Sequence, residues 1–277
     1  ERYTWYNQYP RIPWSLYLNS AKPPLDNLDV RLGINHATNW QKVIDVIFRG
    51  DAARLPGWTK GFGQLDNPEI TARPFSIAKA KEYFTKAGYS EEGDDGILRD
   101  VAGNRLEVIL SYSKIPVREK MMAILKEEAR KAGVDFVLDG LDHTVVYKKE
   151  MAKEHQMVFS AWGFRPPYPR YYEYFHSNNA YDDKGNLKTN TNNVFSFKDD
   201  RMDQLAVAYR NATSEDELDE LRATAAQSLA RDQLPSGEGI HFGEGKPDGE
   251  LAFMFTGSAA VYPRMARRLL MAFPEVR

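Results

Sequence analysis

The run Trp162-Gly163-Phe164-Arg165-Pro166-Pro167-Tyr168-Pro169-Arg170-Tyr171 and its continuation to His176 gather three stacking rings (Trp162, Tyr168, Tyr171), two guanidiniums and an imidazole. Guanidinium offers a fork for a carboxylate or phosphate, and the rings offer broad faces to stack on, so the cluster suits a peptide or amino-acid-like ligand. The run directly follows a strand-like stretch, Met157-Val158-Phe159-Ser160-Ala161. In open α/β sheets, ligands collect at such strand ends. The alternative is an aromatic surface loop packing on its neighbours.

Other chemistries lack their residues. The nucleophile elbow G-x-S-x-G, the zinc helix H-E-x-x-H, the P-loop and a G-x-G-x-x-G opening a helix are all absent from the sequence. Gly61-Phe62-Gly63 and Gly237-Glu238-Gly239 read as turn glycines, without the strand–helix context of a phosphate cradle. The acidic pair Asp66 and Glu69 stays a formal candidate for acid–base work, whereas Asp199, Asp200 and Asp203 open a helix, where carboxylates favour the dipole. Five histidines never fall at ligand spacing within one element, and cysteine is absent, so neither a metal site nor a cofactor is expected. A net charge of −2 without basic blocks leaves no nucleic-acid footprint. No apolar run approaches the length of about 18 residues that spans a bilayer.

Periodicity supplies the frame. Trp14-Ser15-Leu16-Tyr17-Leu18-Asn19 reads as a strand between prolines; Val30, Ile34 and Ala37 form one helical face; and Trp40, Val43, Ile44, Ile47 and Phe48 form another, opened by Asn39 and closed by Gly50. After a long loop over 51–75, Ser76 caps a helix that ends at Gly88, and turns at 94–96 and 102–104 bracket a hairpin before the strand at 106–110. A helix over 117–132, a strand over 134–138, a helix over 142–153 and the strand at 157–161 continue the alternation, and 199–211 and 214–231 are helical. This predicts an α/β fold, a mixed sheet flanked by helices.

The stretches Tyr9-Pro10-Arg11-Ile12-Pro13-Trp14-Ser15-Leu16-Tyr17-Leu18-Asn19-Ser20 and Asp29-Val30-Arg31-Leu32-Gly33-Ile34-Asn35-His36-Ala37, with Arg49-Gly50-Asp51, resemble the family 5 extracellular solute-binding proteins of ABC importers, the oligopeptide and microcin C branch above all. Ala78-Lys79-Ala80-Lys81-Glu82-Tyr83-Phe84, Pro169-Arg170-Tyr171-Tyr172-Glu173 and Thr191-Asn192-Asn193 continue the likeness in order over about residues 5–215. The resemblance implies a periplasmic-binding-protein-like type II lobe. It further implies a non-catalytic, monomeric periplasmic receptor that closes on an oligopeptide or peptide-like molecule and docks on ABC permease subunits. Family members are longer, so the chain is expected to hold a hinge segment at 1–25, the second lobe at 26–234 and an atypical tail at 235–277.

The likeness places Trp162, Gly163, Tyr168 and Arg170 along the cleft and Tyr17 and Asn19 on the strand near the hinge; with Arg165, Tyr171 and Asn193 these are the expected ligand-binding residues. Many relatives carry an Asp shortly after the Trp to hold a ligand's amino terminus, and Phe164-Arg165-Pro166 stands here instead. Over Gly249–Phe273 the tail resembles the opening of a polyketide-synthase acyltransferase domain, without its serine elbow. The competing expectations are an enzyme fragment, carbohydrate-active or acyltransferase-related, and a purely structural interaction domain.

Overall fold

The computed structural model describes residues 13–57, 69–163 and 170–212. Its centre is a four-stranded sheet in the order β1 (Trp14–Leu18), β6 (Met157–Ala161), β4 (Glu107–Ser113), β5 (Asp135–Leu141). Strand β4 runs parallel to both neighbours, pairing Glu107 with Asp135 through Ser113 with Leu141 on one side and Leu110 with Met157 on the other. Strand β1 closes the edge antiparallel to β6, Trp14 opposite Ala161. The sheet is mixed, as the alternation predicted.

The chain leaves β4 through α4 (Pro116–Lys131) to β5, then returns through α5 (His143–Met151) to β6 on the far side of β4. Helices α1 (Leu28–Ala37), α2 (Trp40–Ile47), α3 (Ile77–Lys86) and α4 share one core with Leu16, Val108, Leu110, Phe136 and Phe159 of the sheet. Val146 of α5 instead packs with Tyr17 and Val158. Opposite crossovers thus leave the strand order reversing at β4, and the crevice beyond the carboxyl ends of β4 and β6 is where such sheets receive ligands.

The element ends follow local chemistry. Asn39 accepts from the Lys42 amide at 3.1 Å, Ser76 from Lys79 at 3.3 Å and Asp199 from Met202 at 2.7 Å, each satisfying an amide that the first helical turn leaves unpaired. The last opens α7 (Asp200–Asn211), so Asp199 serves as a cap, as its position foretold. Gly133 ends α4 at φ +87°, and a Cβ there would sit 2.5 Å from Leu98 Cγ, so both backbone and space require glycine. The turn at 94–96 joins a hairpin of β2 (Glu91–Glu92) and β3 (Leu98–Arg99), so the hairpin lies around that turn rather than between the two turns. Two short elements were not read from the sequence: the stretch after β6 includes a helix, α6 (Tyr171–Phe175), and a 3₁₀ turn over Ser177–Asn179. The helix expected at 214–231 and the tail at 235–277 lie outside the described residues.

Candidate functional site

Strand β6 delivers Trp162 at its carboxyl end, and the neighbouring strand fixes it there. The Tyr17 hydroxyl accepts the Trp162 amide at 3.0 Å and lies 3.1 Å from the Trp162 carbonyl and 3.2 Å from that of Pro13. Tyr17 is 4% exposed, and burial pushes its phenol well above the ordinary range, so it stays a neutral clamp. The next residue is held in turn, because the Tyr174 hydroxyl donates to the Gly163 carbonyl at 3.3 Å.

The Trp162 indole lies between rings. Tyr147 of α5 stacks on it at 6.4 Å between centroids and 16°, and Tyr174 of α6 meets it edge-on at 6.1 Å. Tyr147 is half exposed, so the Trp162–Tyr147 pair forms an aromatic wall open to solvent. Beneath it the indole Nε1 donates to Glu150, a residue 1% exposed. Burial pushes the Glu150 carboxyl up to about 7, against the lowering effect of hydrogen bonds from Trp162 and Ser160.

On the other face of the sheet, at the same strand ends, Trp14 is half exposed and stacks on Phe159 at 5.3 Å. The Arg118 guanidinium, in the first turn of α4, lies 4.2 Å from the Trp14 ring centroid. It forms no ion pair among the described residues, and partial burial lowers its affinity for its proton. A guanidinium on an indole keeps its edge N–H groups free for an incoming carboxylate. Ser113 Oγ, at the end of β4, is 3.1 Å from Nδ1 of His143, which opens α5. Indole, guanidinium, hydroxyl and imidazole therefore border the crevice at β4 and β6.

The sequence-derived site residues separate into three groups. Trp162 and Gly163 directly follow the end of β6, and the exposed Arg170 stands at the N-terminus of α6. Asn19 and Asn193 are fully buried among the described residues. The Asn19 amide donates to the carbonyls of Lys153 and His155, each at 3.0 Å, and that of Asn193 to those of His176 and Phe197 at 3.2 and 2.9 Å. Both pin loops. Tyr17 and Tyr171 are likewise interior, Tyr171 meeting Tyr209 edge-on at 5.1 Å. Arg165 and Tyr168 lie outside the described residues.

Sequence reasoning missed Trp14, Arg118, Tyr147 and Glu150. Arg118 and Glu150 sit among charged neighbours and read as solvated helix faces. The one available signal was helical spacing, which puts Glu150 one turn after the buried Val146. Among the described residues no group of three or more metal-ligating side chains converges, and no helix is long and apolar enough to cross a membrane. A separate groove of about 570 Å³, lined by Pro24, Asp26, Tyr89 and Arg105, lies at the opposite end of β4, beside Glu107.

The model of the bacterial extracellular solute-binding proteins, family 5 (middle), matches residues 1–182. The nickel-binding periplasmic protein of Escherichia coli is 28% identical over 151 residues, 53% of this chain and 28% of that protein. A dipeptide-binding protein of Pseudomonas aeruginosa is 24% identical over 223 residues, 78% of this chain and 38% of its own. The structure of the oligopeptide-binding protein AppA from Bacillus subtilis, in complex with a nonapeptide, superposes with a TM-score of 0.66 at 17% identity, over 79% of this chain and 42% of that one. The chain spans well under half the length of each of these relatives.

Proposed function

Because the chain belongs to the bacterial extracellular solute-binding proteins of family 5, we propose that it forms one wall of a receptor that captures peptides or peptide-like solutes outside the cytoplasm for an ABC permease. The capture is non-catalytic: the ligand is gripped, carried and released with no bond made or broken. Trp162, Gly163 and Arg170, which the family likeness puts in the cleft, border the ligand together with Tyr147, Trp14 and Arg118.

One observation carries this reading. Arg118, stacked on Trp14 and without an ion pair among the described residues, stands at the strand-order reversal that also presents the Trp162–Tyr147 wall. An unpaired guanidinium beside aromatic faces matches a ligand with a carboxylate and an apolar body, as a peptide has. A second wall contributed by the remainder of a longer receptor would bury the other side of the ligand. Closure then follows from ligand that binds the closed arrangement better than the open one. One wall alone binds weakly, with a Kd of about 0.1–1 mM, because it buries only part of the ligand's surface.

Calorimetric titration with trialanine, the same tripeptide as its C-terminal amide, a nonapeptide and Ni(II) with histidine tests the proposal. Peptide binding that weakens about tenfold on amidation, and that Arg118→Ala weakens equally for the free acid alone, is the expected pattern. Binding of the nickel complex without any peptide binding would overturn it in favour of a metal chelate.

A further inference from the structure

Glu150 sits on the last turn of α5, sealed from solvent, yet both its oxygens are engaged at the ligand wall. Oε1 accepts from the Trp162 indole and Oε2 from the Ser160 hydroxyl at 3.1 Å. The titratable group facing it is Tyr17 from β1, whose phenol is held up further by the Glu150 charge. On its own helix Lys149 turns away to Asp139 of β5 at 2.7 Å, and the following Lys153 gives its ammonium to the Asn179 carbonyl at 3.0 Å. No Lys, Arg or His pairs with Glu150 among the described residues.

A buried carboxylate without a cation is costly, and a residue of this kind survives where its acceptor atoms are needed. The need here is geometric. An indole N–H has one donor direction, so an acceptor locked behind it fixes the ring plane, while Tyr147 covers one face and Tyr174 meets it edge-on. The arrangement is satisfied in either protonation state. Ionised, Glu150 accepts both hydrogen bonds; neutral, its O–H donates to Ser160 Oγ, which can accept, and the other oxygen still receives the indole.

We propose that Glu150 is the positioning residue of the ligand site, holding the Trp162 indole in the orientation that stacks against a bound peptide. The inference rests on the peptide-capture reading for its consequence in affinity, and on the ligand-free protein for its geometry. Glutamine reproduces the neutral acid, its carbonyl receiving the indole and its amide donating to Ser160. Alanine leaves both without a partner.

The experiment follows the Trp162 indole N–H resonance, assigned by its disappearance in Trp162→Phe, in ligand-free wild type, Glu150→Gln and Glu150→Ala between pH 5 and 9, and then trialanine affinity in each. The resonance should titrate near pH 7 in wild type, stay pH-independent in E150Q and move far in E150A. Affinity should fall at least tenfold in E150A and stay within about threefold of wild type in E150Q. An indole signal left in place by E150A, or an E150A protein that folds and binds trialanine like wild type, overturns the proposal. If E150A does not fold, E150Q decides: an affinity loss as large as that of W162F would overturn it too. Failure of the peptide reading looks different, with trialanine bound by no variant while the indole still titrates with Glu150; that outcome upholds the indole anchor alone.

Discussion

Replacing Tyr17 with Phe removes one oxygen and leaves the ring that packs between Val146 and Val158. The lost hydroxyl receives the Trp162 amide at 3.0 Å and has a single proton to share between the Trp162 and Pro13 carbonyls. Two hydrogen bonds therefore vanish at once, each contributing about 1 kcal/mol net. The Trp162 amide is part-buried, so water restores some of its bonding, and the loss stands at about 1.5–2.5 kcal/mol rather than the full desolvation penalty. In a chain of this size that corresponds to a melting temperature lower by roughly 4–8 °C. Urea unfolding followed by far-UV circular dichroism measures the first quantity. Trialanine affinity measures the second consequence, a roughly three- to tenfold weakening, because the clamp positions the backbone that carries the indole. A Tyr17→Phe protein within 0.5 kcal/mol of wild type by the same assay, a change at the level of an ordinary surface substitution, would refute the clamp.

Two further predictions concern the scaffold. Glu128 of α4 is buried, and burial alone would raise its carboxyl; hydrogen bonds from Lys131, Lys42 and Asn39 overcome that and hold it at about 2. Its folded value lies below the unfolded one, so its contribution is complete above about pH 4.5 and is lost as pH falls toward 2. With both lysines half exposed, screening limits it to about 1–2 kcal/mol. The unfolding free energy of Glu128→Gln should trail wild type by that amount at pH 7 and converge with it near pH 2. Gly133→Ala should cost about 2–3 kcal/mol in urea unfolding, since φ is +87° and the new Cβ would meet Leu98 at 2.5 Å.

The frame of the lobe is written in short-range patterns. Asn39, Ser76 and Asp199 cap helices, Gly88 and Gly133 end them at positive φ, and β1 and β6 lie where the strand patterns fall. These features depend on a few consecutive residues, so one sequence suffices to read them. The site depends on pairing between distant segments. Tyr17 reads as a ring near a ligand until β1 lies beside β6 and aims its hydroxyl at the backbone 145 positions away. The amides of Asn19 and Asn193 donate to loop carbonyls far along the chain, contacts that no local pattern announces. Arg118 and Glu150 sit among Arg, Lys and Glu neighbours, and nothing local separates a stacked guanidinium or a buried acceptor from an ordinary solvated charge. The family likeness supplied Trp162 and its surroundings, and packing supplied the residues that hold it.

The measurement that bears most directly on the strand-end site is an amide and indole chemical-shift map of the protein titrated with trialanine. The account predicts that the largest shifts gather at Trp14, Ser113, Arg118, His143, Tyr147 and Trp162. Shifts centred on the groove of Asp26, Tyr89 and Arg105 at the opposite end of β4, with the Trp162 indole unmoved, would contradict it.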